Sequence, residues 1–143
     1  MRKIIILPLF VAFLMVSCSD NNSSSVIEEP AGSAQYVIEN QSNRDLKVVF
    51  TKSPQLNSEI DTTSTIVSKT AEIIFEDGII GVNPKPSDSF SKIEFYKTSD
   101  ISSPVYAINQ INDEQWRIVS KDYGESGYGL TIYELSITDN QIQ

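Results

Sequence analysis

The chain has 143 residues, with 11 Lys and Arg side chains against 19 Asp and Glu, one cysteine and no histidine. The net charge of −8 leaves no basic patch of the kind that nucleic-acid binding requires, so no nucleic-acid partner is expected. Without histidine, and with a single cysteine, the chain cannot build a Ser-His-Asp triad, a Cys/His nucleophile pair or a Cys/His zinc site.

The first seventeen residues have the layout of a secretion signal. Arg2 and Lys3 carry positive charge, and the apolar run 4–16 follows them. This run is shorter than the roughly 20 residues that a membrane-spanning helix needs. It also lacks the polar positions that recur every turn on an ordinary amphipathic helix. Residues 1–17 are therefore predicted to be a cleaved signal peptide.

The end of this segment resembles a bacterial lipobox. Leu14-Met15-Val16-Ser17-Cys18 places a small residue directly before a cysteine, with Met15 where leucine is commoner. The resemblance implies diacylation of the Cys18 thiol and cleavage between Ser17 and Cys18. Two or three acyl chains anchor a protein stably, because each buried methylene contributes about 0.8 kcal/mol.

Residues 18–34 are predicted to be the acylated cysteine and a flexible tether. The stretch is rich in Ser and Asn and closes with Pro30 and Gly32. It cannot bury enough apolar surface to offset the entropy of ordering. A single folded domain is predicted over residues 35–143. Once the signal is removed, 9 basic and 19 acidic side chains remain, so the mature chain has a net charge of −10.

The lipobox and the polar tether are similar to those of small Bacteroidota-type lipoproteins. In addition, Asp61-Thr62-Thr63 resembles the short site that such bacteria O-glycosylate on exported proteins, although Asp-Thr also serves in ordinary turns. The resemblance implies a lipid-anchored location in the bacterial cell envelope, with the outer membrane expected. It implies no activity.

From residue 35 onward the pattern changes to short β-type runs separated by turn residues. Strands are predicted, in chain order, at 36–39, 46–50, 66–67, 73–75, 79–82, 90–96, 104–108, 116–120 and 128–137. Asp77-Gly78 is interpreted as a hairpin turn. A bulge is predicted near Tyr133-Glu134, because the apolar positions change parity there.

This spacing of strands, without a convincing helix of 10 or more residues, predicts an all-β fold. We expect one small antiparallel β-sandwich, Ig-like, behind the N-terminal signal helix and the tether. A small β-barrel is the alternative.

No catalytic residue, metal site or cofactor is predicted. Ser89 and Lys92 match the S-x-x-K spacing of penicillin-recognising enzymes, and residues 19–21 match S-D-N. The segment of the first match is strand-like, which would point the two side chains to opposite faces, and the second match lies in the tether. Carboxylates such as Asp113 and Glu114 could bind calcium, but solvated turn residues are the simpler interpretation.

The segment Tyr123–Gly129, with three glycines and two tyrosines, is the most distinctive loop. Tyr123 and Tyr128, with Trp116 nearby, could present aromatic faces to a glycan or a protein, since such rings bind at low entropic cost. Alternatively, the glycines take positive φ in a hairpin loop and Tyr128 joins the core. These three aromatic residues are the candidate ligand contacts.

The combined features predict a non-catalytic, membrane-anchored lipoprotein that binds or accompanies another macromolecule. Its expected partners are the membrane, through the lipid, and an envelope protein or a glycan. The alternative function is a glycan-binding lipoprotein that uses aromatic residues near the 123–129 loop. A free strand edge could also receive a strand from a partner.

Overall fold

The computed structural model of the protein describes residues 29–142. The predicted signal peptide, Cys18 and most of the predicted tether lie outside the described residues. The described part contains one short α-helix, α1 (Pro86–Ser89), and two 3-10 turns, Pro54–Leu56 and Asp113–Gln115, and no helix in it is long and apolar enough to cross a membrane. Its strands are β1 (Ala31–Asn40), β2 (Leu46–Lys52), β3 (Ile60–Ile66), β4 (Thr70–Ile80), β5 (Phe90–Lys97), β6 (Tyr106–Ile108), β7 (Arg117–Tyr123) and β8 (Gly129–Ile137).

The strands form two four-stranded sheets, which confirms the all-β sandwich over the barrel alternative. The first sheet has the order β4-β1-β8-β7, and the second has the order β3-β2-β5-β6. In the constant-type immunoglobulin order the first two strands share a sheet, whereas β1 and β2 lie in opposite sheets here. The protein is therefore a two-layer β-sandwich like the immunoglobulin fold, with a strand order that differs from the constant-type one.

One strand pair corrects the expectation of a purely antiparallel sandwich. β1 and β8 run parallel, from the pair Ser33 and Leu130 to the pair Asn40 and Ile137. Parallel neighbours require a long crossover, and here the crossover comprises every strand between them. The first and last strands of the domain thus lie side by side at the centre of the first sheet.

The core lies between the sheets and follows the period-two alternation of the strands. Every second side chain of β1 and β8 points inward, and β2 and β5 supply the opposite wall. The buried apolar residues are Ala34, Tyr36, Ile38, Leu46, Val48, Phe50, Ile66, Ile74, Phe90, Ile93, Phe95, Ile108, Trp116, Tyr133, Leu135, Ile137 and Ile142.

The first strand begins earlier than the predicted domain boundary at residue 35. β1 starts at Ala31, which pairs with Ile80 of β4, and Gly32 donates a backbone hydrogen bond to Val82 (3.1 Å). A Cβ atom on Gly32 would lie 2.3 Å from the Val82 carbonyl oxygen, so only glycine fits this close approach. The small and polar residues 31–34, assigned to the tether by composition, are part of the sheet.

The turn predicted in β4 is wrong, and the bulge predicted in β8 near Tyr133 lies in the neighbouring strand β7. Asp77-Gly78 is not a turn, because Asp77 pairs with Ala34 inside the continuous strand β4, and the chain reverses three residues later at Gly81 (φ +71°). β8 keeps one register against β1, whereas its pairing with β7 shifts between Tyr133 and Ile132, because the extra residue, Val119, lies in β7 and not in β8. Leu130 and Ile132 are apolar residues on the outer face of β8, whereas Leu135 and Ile137 point to the core. The apolar positions of the sequence therefore change parity although the strand itself is regular.

Candidate functional site

Trp116, one of the three candidate ligand contacts, belongs to the core. It follows the 3-10 turn 113–115, and only 5% of it is exposed. Its ring stacks on Phe90 (centroids 6.0 Å apart, planes 8° apart) and meets the edge of Tyr36 (5.8 Å, 78°). Because the ring is enclosed by these neighbours, Trp116 does not present a face to a ligand.

Tyr123 and Tyr128 flank the hairpin between β7 and β8. Gly124 donates to the Tyr128 carbonyl (3.0 Å), and Gly127 takes a positive φ of +80°. Tyr123 is 39% exposed, and its hydroxyl is 2.9 Å from the Oγ1 atom of Thr131, whereas Tyr128 is half-buried. The structure therefore leaves Tyr123 accessible at this loop but does not group the three aromatic residues into one platform.

The hairpin lies at the end of the sandwich where the chain enters the domain, which we call the entry end. There Gly81 donates to the Pro30 carbonyl (2.8 Å). The Asn83 side chain joins this corner to the hairpin, because its amide donates to the Gly127 carbonyl (3.0 Å) and its oxygen accepts from the Gly129 N–H (3.2 Å). The 123–129 loop is thus fixed close to Pro30, near the first residue that the structure describes.

β7 is the most accessible strand of the described sandwich. It is the last strand of the first sheet, and all seven of its residues are exposed. Ile118 and Val119 are 45% and 46% exposed, and a register shift against β8 lies between Ile118 and Ser120. β3 and β4 contact each other at one side of the sandwich, so β6 lies on the same side as β7. β6 has only three residues and covers little of β7.

A buried hydrogen-bonded chain joins the two sheets. The Ser89 hydroxyl lies 2.6 Å from the Tyr36 hydroxyl and donates to the Asp77 carboxylate (2.6 Å). Burial raises the pKa of Tyr36 well above its usual range, and the Asp77 charge acts in the same direction, while the bond to Ser89 opposes them. Burial also raises the pKa of Tyr133. Among the described residues this cluster satisfies its own polar atoms.

The S-x-x-K segment is not strand-like throughout, contrary to the prediction, because Ser89 ends α1 and only the residues from Phe90 to Lys92 lie in β5. Ser89 is fully buried at the end of α1, so its hydroxyl is closed to a substrate. The Lys92 amine instead forms an ion pair with Glu94 (2.7 Å) on the same strand. Ser89 therefore fastens β1 and β4 to the start of β5, and Lys92 takes no part in the cluster.

The oxygen-rich segment 110–114 borders an open cleft of about 550 Å³ together with Ser87. Both carboxylate oxygens of Asp113 accept hydrogen bonds from Ser87, at 2.8 and 2.9 Å, and the Asn112 side chain accepts from the Glu114 N–H (3.0 Å). Within residues 29–142 no group of three or more His, Cys, Asp or Glu side chains is placed to hold a metal ion. The side-chain oxygens of Asn112 and Asp113 therefore stabilise the local backbone through hydrogen bonds.

Sequence reasoning missed a small groove on the outer face of the second sheet. Lys47, Val49, Tyr96 and Ile101 line it, and its volume is about 180 Å³. Tyr96 is half-buried on the outer face of β5. Its position beside the buried Phe95 could have indicated the outer face, because neighbouring strand residues point to opposite sides.

The predicted modification site lies on the surface. Thr62 is exposed on the edge strand β3, where its N–H donates to the Asp61 carboxylate (2.8 Å). Its glycosylation stays a prediction.

No protein-family model matches the chain, and no curated protein is similar enough to count as a relative.

Proposed function

We propose that the chain is a non-catalytic binding module, anchored in the cell envelope through Cys18, that receives an extended segment of a partner protein along β7. The observation that carries this proposal is the edge of the first sheet at β7, where all seven residues are exposed and the described part of the chain supplies no strand beyond β7. An edge strand offers a row of unpaired backbone N–H and C=O groups, which an incoming strand recognises by hydrogen bonds.

β7 fits this role better than the other edge strands of the described sandwich. β6 is only three residues long, and β3 and β4 contact each other across the sandwich. β7 also carries two adjacent exposed aliphatic side chains, Ile118 and Val119. Backbone pairing supplies affinity and such side chains supply selectivity, so β7 combines both requirements.

The position of β7 is compatible with an anchor at Cys18. Its last residue, Tyr123, opens the hairpin that Asn83 fastens to the entry end. Cys18 lies eleven residues before Glu29, and eleven residues can span at most about 40 Å. A partner strand on β7 would therefore lie close to the membrane, which favours a protein of the same envelope as the partner.

The test compares two valines of nearly equal exposure. Val119→Lys places a charge on the β7 edge, and Val67→Lys places the same charge in the β3–β4 turn, where Val67 is 49% exposed. Lysine on an edge strand opposes strand addition. We expect the wild type and Val67→Lys to capture the same protein from detergent-solubilised envelope, and Val119→Lys to lose it.

Two results would contradict the proposal. Either all three proteins capture the partner equally, so that β7 is not the interface, or repeated captures recover only the lipoprotein itself. Matching circular dichroism spectra of the two variants would confirm that both retain the fold.

Glycan binding at the 123–129 loop is the second candidate function, and the exposure of Tyr123 favours it. With Trp116 buried, the site would consist of Tyr123 and half-buried Tyr128. A glycan array probed with the wild type and with Tyr123→Ala tests it. An unchanged pattern of bound glycans would rule out this loop.

A further inference from the structure

The groove on the outer face of the second sheet is assembled by the pairing of its two central strands. Lys47 of β2 lies directly opposite Tyr96 of β5, and Val49 lies opposite Glu94 one outward position further along. Ile101, from the connection between β5 and β6, forms the remaining wall. Side chains from two strands and one loop therefore converge on a space of about 180 Å³.

Ile101 is held in place by an ordered turn. Asp100 donates its N–H to the Lys97 carbonyl (3.1 Å), and its carboxylate accepts from the Ser102 N–H (2.9 Å). Ile101 is nevertheless 59% exposed. The turn thus presents an aliphatic side chain to solvent beside the half-buried ring of Tyr96.

Lys47 lines the groove and brings a positively charged side chain to it. Lys52 and Lys92 on the same sheet form ion pairs with Glu59 (3.0 Å) and Glu94 (2.7 Å). Lys47 has no carboxylate within 4.0 Å among residues 29–142. On a chain with an excess of acidic side chains, this unpaired ammonium is complementary to an anionic group on a ligand.

We propose that this groove binds one ring of an acidic sugar. The apolar C–H face of a pyranose would pack on Tyr96 and Ile101, while its carboxylate pairs with Lys47. The volume is below the roughly 300–1,000 Å³ of sites for drug-sized ligands, so it suits a single ring. Contact area this small gives a dissociation constant on the order of millimolar for a monosaccharide.

The site is independent of the proposed strand addition, because it lies on the other sheet. It uses the outer surface of β2 and β5, whereas the partner strand would pair with the backbone of β7. The β7 variant Val119→Lys should therefore leave sugar binding unchanged, which keeps the failure of one proposal distinguishable from the failure of the other.

The test is an NMR titration of the mature protein in detergent with glucuronate, glucose and acetate. We expect glucuronate to shift the amide signals of residues 47, 49, 96 and 101, with glucose and acetate each binding more weakly by about tenfold or more. Lys47→Met and Tyr96→Ala should each weaken glucuronate binding by a similar factor. The matched controls Lys121→Met and Tyr123→Ala, on the first sheet, should not.

Several outcomes would overturn the proposal. Acetate that binds as well as glucuronate would indicate a simple anion site, and glucose that binds as well would show that Lys47 does not select charge. The proposal also fails if glucuronate causes no shift at tens of millimolar, or if its binding survives both groove substitutions. Lys47→Met keeps most of the lysine stem, so the charge is tested even if Tyr96→Ala alters the fold.

Discussion

The substitution Trp116→Ala tests whether Trp116 is a core residue or part of a binding platform. Trp116 is 5% exposed and contacts the rings of Phe90 and Tyr36. Truncation of a buried aromatic residue removes its transfer free energy and leaves a cavity, at a cost of about 3–5 kcal/mol. In a domain of this size 1 kcal/mol corresponds to about 4 °C, so the melting temperature should fall by about 12–20 °C.

The assay is thermal unfolding followed by circular dichroism, because Trp116 is the only tryptophan and the variant loses its fluorescence. Tyr123→Ala is the control. Tyr123 is 39% exposed and loses one hydroxyl contact, to Thr131, so we expect a cost of about 1 kcal/mol or less. An unchanged melting temperature for Trp116→Ala, or a larger fall for Tyr123→Ala, would refute the assignment of Trp116 to the core.

Three further predictions concern the buried hydroxyl chain, the hairpin and the anchor. The raised pKa of Tyr36 means that the fold disfavours its ionised form, so the free energy of unfolding should fall as the pH rises above about 10. Urea titrations at pH 9 and 11 should show a smaller fall for Tyr36→Phe, and an equal fall would contradict the argument. Gly129→Ala would place a Cβ atom 2.1 Å from the Asp122 carbonyl oxygen, which should cost about 1–3 kcal/mol. Gly78→Ala, whose nearest contact is at 3.8 Å, should change stability by less than about 0.5 kcal/mol in the same denaturant assay, and equal effects would show that Gly129 is not constrained. Cys18→Ser should move the protein from the detergent phase to the aqueous phase on Triton X-114 separation, and an unmodified Ser19 at the N-terminus of the wild type would disprove the anchor.

The sequence was sufficient to predict strands that bury one face. Leu46, Val48 and Phe50 alternate with more exposed residues, and β2 contains all three as buried positions. Alternation of buried and exposed residues does not reveal edge strands, because these strands bury few side chains. β3 runs from Ile60 to Ile66 but buries only Ile66, so a Thr-rich strand was interpreted as a loop followed by a short strand.

Residues whose meaning depends on a distant partner could not be predicted. Asp77-Gly78 is a common turn dipeptide, yet here it is extended because β1 pairs with it along its length. Trp116 suits a core and a binding platform equally well until its neighbours are known. Tyr96 forms a groove only because the register places Lys47 opposite it.

Amide hydrogen exchange on the complex with the captured envelope partner tests the central claim most directly. Strand addition to the first sheet should protect backbone N–H groups of β7, residues 117–123, that point away from β8, because each gains a hydrogen bond to the partner. The amides of β3, an edge strand of the second sheet, should exchange at the same rate with and without the partner. Protection confined to other surfaces, or none along β7 in a saturated complex, would contradict the account.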